Sequence, residues 1–438
     1  MKELREMTTK KEIVIEPLAR VEGHGGIKVE IQDNKISNVE VQILEGPRLF
    51  EQLVVGKTPE EDLSIVPRIC AICNLSHKYA ALRGLEKALG VEIPKTTQTY
   101  RQLMHHGEIL ESHSLHLYFL ALPDFLGYDN AVAMAEKYGE TVVKALQLKK
   151  FGNKVMQMMG GRMIHGENPI LGGFSKLPTK EELLGIKEEA IELLPFAMDT
   201  IDLLAELDIP NHMERETQFL CCKPPHDDYD YYGDAFLTSD GKEHPVENYK
   251  NVIKEHVVGH SFAKRGTYNE APFTVGAIAR VILLGERLKG KAKQAYKKLF
   301  NERWYRNPLY NNFAQAIEQV FSLEGIIDVV NQLLSEDNPE IAQPTMDTGV
   351  GTGAVEAPRG TLIHHYKIKE GKTVAADFIT PTAMFLDDIE AFIRTSGETL
   401  LAKNQMDNIE LKFEMVARAY DPCISCSAHL VDVVYKED

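Results

Sequence analysis

No stretch of this chain approaches the roughly 20 continuous apolar residues that a membrane-crossing helix needs, and the nearest candidates are broken by Glu, Lys or Asp. Basic residues are in deficit: 49 Lys and Arg stand against 65 Asp and Glu, a formal charge of −16. That balance argues against a nucleic-acid partner, whose phosphates demand basic patches. The opening MKELREMTTKKEIVIEP lacks the apolar core and small-residue cleavage site of a secretory signal, so the expected location is the cytoplasm. Internal repeats and low-complexity tracts are also missing. Six cysteines in 438 residues are too few for a disulfide scaffold, which leaves metal or redox chemistry as their use.

What is present reads as a mainly α fold with α+β lobes, a long helical bundle core flanked by a small N-terminal sheet and a C-terminal mixed segment. Residues 12–45 carry short β-like runs (EIVIEP, GGIKVEIQ, ISNVEVQIL) with a turn at Asp33-Asn34, the pattern of a small β lobe. From 46 to 344 the texture is helical: 97–122, 131–159, 179–207, 271–300 and 309–336 have apolar residues at three-to-four spacing, and Thr179-Lys180-Glu181-Glu182 is a capping-box pattern. Long helices with few strands between them suggest a bundle. Within this body, 222–249 is rich in Asp, Tyr, Pro and Gly and reads as a surface insertion with a hairpin. Beyond Pro344, Gly349, Gly351 and Gly353 are expected to open a loop that lets the backbone pass close to a pocket. TLIHHYKI and TVAADFIT then read as strands, and 384–403 as helix. The whole is expected to be one domain, with 345–429 as its closing segment.

Four of the six cysteines form two Cys-x-x-Cys pairs, Cys70/Cys73 and Cys423/Cys426, whose first members are 353 residues apart (423 minus 70). Four thiolates brought together make a soft pocket suited to nickel, iron, zinc or an iron-sulfur centre. A thioredoxin-like redox pair would need a strand before it and a helix opening behind it. A structural four-cysteine zinc protein is the stronger alternative, although zinc ribbons place their pairs within about 20 residues of each other. His77 and His429, four and three residues beyond the last cysteine of each pair, are candidates to donate N–H to a thiolate sulfur. Cys221 and Cys222 are adjacent and cannot easily chelate one metal; core packing or inert surface thiols suit them better.

The motif Arg68-x-Cys70-x-x-Cys73-x-x-x-His77 together with Asp421-Pro422-Cys423-x-x-Cys426-x-x-His429 resembles the two signatures of the large, catalytic subunit of nickel-iron hydrogenases. Arg20-Val21-Glu22-Gly23-His24, Arg48-Leu49-Phe50-Glu51, His113-Ser114-Leu115-His116, Gly161-Arg162-Met163-Ile164-His165, Glu356-Ala357-Pro358-Arg359-Gly360 and Thr380-Pro381-Thr382 add to it, in order and over essentially the full length. The resemblance implies an enzyme that reversibly cleaves dihydrogen into protons and electrons. It implies nickel held by all four thiolates, with Cys70 and Cys423 terminal, Cys73 and Cys426 bridging to iron, and carbonyl and cyanide ligands on the iron. Arg359, beside Pro358, would lie over the metals with Asp421 orienting it, and Thr382 would hydrogen-bond a cyanide. Glu22 would relay the proton that Cys423 first accepts, a step that suits a carboxylate; His24 reads as a structural histidine. Glu51 and His429 would bind a second, hard cation, magnesium or iron, with a backbone carbonyl around Phe378.

The same resemblance implies partners. With only two cysteines left over, the chain cannot ligate the clusters that carry electrons away, so an iron-sulfur small subunit is expected, with further electron-transfer subunits (flavin, NAD(P), deazaflavin or heterodisulfide reductase) and a maturation protease and chaperone. LVDVVYKED, residues 430–438, stands where family members carry a cleavable C-terminal extension. Ala71 replaces a glycine common in relatives. Ser112 stands where membrane-attached uptake enzymes have an acidic residue facing the arginine, which aligns the chain with the cytoplasmic, cofactor-coupled group. The alternative from outside the enzymes is a non-catalytic complex-I-type homologue, a class that has lost the cysteines.

Overall fold

The structure, a computed structural model, describes residues 10–428. Lys10–Ile15 (β1), Gly25–Gln32 (β2) and Lys35–Ile43 (β3) form an antiparallel sheet in that order. Their period-two pattern sets Ile27, Val29 and Ile31 of β2 opposite Val41, Val39 and Ile36 of β3 on one buried face, and each such side chain contributes roughly 1.5–3 kcal/mol through burial. Asp33 and Asn34 both take positive φ, the two-residue geometry that matches strand twist.

The body is built from Asn74–Leu89 (α1), Lys95–Leu115 (α2), Ala131–Gly160 (α3), Lys180–Ala205 (α4), Ala277–Leu284 (α5) and Asn311–Ser335 (α6). The capping box expected at Thr179 is present, with Glu182 as its partner. The helix expected over 271–300 is interrupted: after α5 the chain makes a tight turn at Gly285–Arg287 before Gly290–Leu299 resumes. Helix α1 has no counterpart among the expected helices. Nearly every one of its residues is buried, Asn74, Ser76, His77 and Lys78 included, so it lacks the apolar stripe by which a surface helix is recognised. It stops at Gly90, whose φ of 62° closes the last turn.

Segment 222–249 contains the expected hairpin, Ala235–Thr238 with Glu243–Pro245, paired to Gln218–Lys223 (β4). It is nevertheless not a surface appendage. Tyr229 and Tyr231 are buried, and the Tyr231 carbonyl accepts the Glu356 N–H at 2.7 Å.

The glycines at 349, 351 and 353 lie in a strand rather than a loop. Gly349–Ala357 (β5), Gly360–Lys369 (β6) and Lys372–Ile379 (β7) form an antiparallel sheet that rides on α1. A Cβ on Gly349, Gly351 or Gly353 would stand 2.1, 2.0 or 2.2 Å from the carbonyl oxygen of Ala88, Gly84 or Ala80. The match is one of pitch: four residues of helix rise about 6.0 Å and two residues of strand about 6.7 Å. Pro381–Ala402 (α7) and Ile409–Ala419 (α8) follow, and α7 packs on β3. Among the described residues no helix is long and apolar enough to cross a membrane.

Candidate metal centre

Cys70 ends the short helical turn Val66–Ile69 in an extended conformation, and Cys73 is the residue from which α1 starts. Cys423 opens a second short turn, Ile424–Ser427. The four sulfurs face one another: Cys70 to Cys423 is 3.4 Å, Cys73 to Cys426 is 3.5 Å and Cys423 to Cys426 is 2.7 Å. All four are buried and all their sulfurs lie within 4.8 Å of one another.

The electrostatics suit a cation. Hydrogen bonds from the thiols of Cys423, Cys426 and Cys73 hold Cys70 well below the usual thiol range, while burial pushes Cys423 and Cys426 well above it. Four thiolates are a soft donor set, so the residues fit a nickel centre.

Three devices hold the two motifs in register. The Arg48 guanidinium donates through Nη2 to the Ile69 carbonyl at 2.7 Å and to the Ser425 carbonyl, so it grips both cysteine loops. Thr382, in the first turn of α7, accepts the Cys423 N–H at 2.9 Å. Behind Cys73, Glu108 of α2 accepts the N–H groups of Leu75 and Ser76 at 2.7 and 2.8 Å, satisfying free donors at the start of α1. Burial pushes the Glu108 pKa up to about 8.

Glu22 reaches the cluster because its strand segment pairs with that of Cys423, with the Ile424 N–H on the Glu22 carbonyl at 3.0 Å. The Cys423 thiol points at Glu22 Oε2, 3.0 Å away. Ser425 fixes the carboxylate, its N–H on Oε2 at 3.2 Å and its hydroxyl on Oε1. His24, expected to be a satisfied structural histidine, has a side chain 54% exposed and so is not buried.

Arg359 stands at the turn between β5 and β6. It donates through Nε to the Asp421 carbonyl at 2.8 Å and through Nη2 to Asp421 Oδ1 at 2.9 Å, while Nη1 is 3.5 Å from the Ser112 hydroxyl. Asp421 is positioned in turn by Gln315, whose amide reaches Oδ2 at 3.1 Å. Gln315 also meets His116 Nδ1 at 2.6 Å, where α2 widens into a π-helical turn over His116–Ala121. Such turns gather at functional sites.

On the far side, buried Glu51 accepts the Phe378 N–H at 3.2 Å. His364 stacks on the Phe378 ring at 4.1 Å, and its Nε2 meets His77 Nδ1 at 3.0 Å. His77 therefore joins the Glu51 side of the site through His364. His429 and residues 430–438 lie outside the described residues. Cys221 and Cys222 are buried in β4, and burial holds both thiols well above the ordinary range; they are core, not surface, thiols.

Sequence reasoning missed Ser425, Gln315, His364 and Glu108 as partners of the site. His364 alone left a signal, as an inward position on an alternating strand occupied by a polar ring.

The chain matches the family described as nickel-dependent hydrogenase over residues 48–143 and 227–429, and a HoxL-like description over 12–45. It is 43% identical to the alpha subunit of sulfhydrogenase 1 of Pyrococcus furiosus over 425 residues, 96% of this chain and 98% of that one. It is 35% identical to a vhu subunit of an F420-non-reducing hydrogenase of Methanocaldococcus jannaschii, over 89% of this chain and 99% of the other. Among solved structures, an NAD+-reducing [NiFe]-hydrogenase in its H2-reduced state superposes with a TM-score of 0.88 at 26% identity, over 96% of this chain and all of its own.

Proposed function

The chain belongs to the nickel-dependent hydrogenase family as a large, catalytic subunit, and from that premise we propose how its residues divide the work of splitting dihydrogen. The family match replaces the non-catalytic and structural-zinc alternatives. Cys70, Cys73, Cys423 and Cys426 would hold the nickel, and Cys73 and Cys426 would also serve the iron, to which the resemblance gives carbonyl and cyanide ligands. When bound, that centre supplies the redox-active metal pair at which dihydrogen is cleaved heterolytically. The division into terminal (Cys70, Cys423) and bridging (Cys73, Cys426) thiolates rests on the order of the cysteines in the two family motifs, and the clustering of all four sulfurs is compatible with it.

The observation that carries the reading is the 3.0 Å contact between Cys423 Sγ and Glu22 Oε2. A proton held on Cys423 has an acceptor at hydrogen-bond distance, the geometric requirement for general acid–base transfer. Ser425 keeps that acceptor oriented, and the partly exposed Glu22 can pass the proton outward. Arg359 is a fixed positive charge that shapes the outer face of the pocket, and a planar guanidinium clamped by Asp421 keeps its remaining N–H groups aimed inward. Thr382 accepts the Cys423 N–H, and its own hydroxyl proton would be available to a ligand of the bound centre. Glu51 is poised for a hard cation, which His429 would help to bind.

Electrons leave through an iron-sulfur small subunit, and the relatives' printed names, which are those of subunits, support a multi-subunit setting. Likeness to an NAD+-reducing enzyme supports a cytoplasmic, cofactor-coupled complex with further electron-transfer subunits, matured by a protease and a chaperone. The test is Glu22→Gln in the holoenzyme. Turnover should fall by about a hundredfold or more while nickel content stays at the wild-type level. Full turnover in that variant would remove Glu22 from the relay.

A further inference from the structure

Arg280 of α5 lies in the core with no exposed side-chain surface and takes no part in the chemistry outlined above. Its guanidinium has five N–H groups and the structure gives it five acceptors. Nε donates to Glu318 Oε1 at 2.6 Å and Nη2 to Glu318 Oε2 at 2.7 Å. Nη1 donates to Glu356 Oε2 at 2.8 Å. The two remaining donors reach the carbonyls of Ala357 at 3.1 Å and Pro358 at 3.2 Å, the two residues that immediately precede Arg359.

The same helix touches this turn at a second point. Gly276, the residue from which α5 starts, has a φ of 105°, and a Cβ there would stand 3.0 Å from the Arg359 carbonyl oxygen. The carboxylates are held from behind. Glu318 also meets His113 Nε2 at 2.6 Å and the Tyr229 hydroxyl at 2.5 Å. Glu356 accepts from Thr361 Oγ1 and the Cys222 N–H, both at 2.6 Å. Burial alone would push Glu318 upward, but the Arg280 charge and the hydrogen bonds from Arg280 and His113 outweigh it and hold its pKa at about 2.

We propose that Arg280, anchored by Glu318 and Glu356, is a positioning residue that fixes the backbone of the Ala357–Gly360 turn and thereby aims Arg359 into the metal pocket. A buried ion pair is weak evidence of stabilisation, since apolar residues often pack as well. Here, however, two of five donors are spent on the carbonyls of one turn, and that turn carries the arginine of the site. Asp421 grips the Arg359 side chain while Arg280 grips its backbone, so the guanidinium is held from both ends. Displacements near 1 Å at a reacting centre can cost about a hundredfold in rate.

The inference rests on the role proposed for Arg359, and the test separates the two. Arg280→Lys keeps the charge but offers three donors in place of a five-donor fork; Glu356→Gln is a second, isosteric change to the same anchor. In the holoenzyme, each should keep wild-type nickel content and lose roughly ten- to a hundredfold in turnover. Deuterium uptake should rise in a peptide covering 355–363 and stay unchanged in α3. Combined with Arg359→Lys, the Arg280→Lys change should add little further loss, because both act through one group. Unchanged turnover, unchanged exchange at the turn, losses that multiply in the double variant, or collapse of the fold in both single variants would each overturn the proposal. Wild-type turnover in Arg359→Lys alone would instead remove the role of Arg359, and the exchange measurement would still judge the hold on the turn.

Discussion

Ser425 stands between the cysteines of the second pair and binds both oxygens of Glu22, through its N–H and its hydroxyl. It orients the carboxylate. Ser425→Ala keeps the backbone contact and loses the hydroxyl, so its effect should be that of one hydrogen bond, about 1 kcal/mol or roughly fivefold in turnover. Steady-state dihydrogen oxidation at matched nickel content checks this; a loss as large as that of Glu22→Gln would mean the hydroxyl is itself part of the relay. The four cysteines were legible in the sequence because their residue type carries the chemistry and their motifs fix the spacing, whereas Glu22, Glu51 and Arg359 were named only through the family resemblance; by itself Glu51 reads as a helix-surface charge. Ser425, Gln315 and Arg280 were not legible. A lone serine, glutamine or buried arginine acts through what it touches, and nothing in spacing along the chain reports a contact made across the fold.

Between β5 and α1 the fold depends on absent side chains. Gly351 sits where a Cβ would lie 2.0 Å from the Gly84 carbonyl oxygen, backbone that has no flexible end to move. Gly351→Ala should therefore destabilise the protein by roughly 1–3 kcal/mol through overpacking and lower the melting temperature. Gly46, around which a Cβ would meet nothing within 4 Å, provides the control, and Gly46→Ala should leave the melting temperature unchanged. Equal melting temperatures for the two variants would show that the sheet does not ride on α1 as described. The three glycines read as a loop because glycine most often marks a turn, whereas here they occur at every second residue of a strand. Helix α1 escaped the sequence for a related reason: burial on nearly all sides, polar residues included, erases periodicity. The N-terminal sheet, with one face in the core, kept its alternation and was plain.

Across the whole molecule, the distance between the cysteine pairs along the chain becomes the organising fact of the fold. Closing a long loop costs only about 0.6 kcal/mol more for each doubling of its length, and one core runs through the N-terminal sheet, the helical body and the second cysteine segment, including Ile27, Ile317 and Ile424. What the separation achieves is enclosure: Glu22 from the N-terminal lobe, Cys73 at the head of α1, Arg359 at a sheet turn and Thr382 at the head of α7 all converge on the second pair. The pairing of the four cysteines was legible because it needs only residue type and spacing. The convergence of the surrounding elements was legible only through the family resemblance, because it depends on how distant segments pack. The measurement that tests the central claim most directly is nickel K-edge X-ray absorption on the purified holoenzyme. The structure predicts a nickel whose protein ligands are four sulfurs, falling to three when Cys70 is changed to serine; a shell dominated by nitrogen or oxygen, or one unaffected by Cys70→Ser, would contradict it.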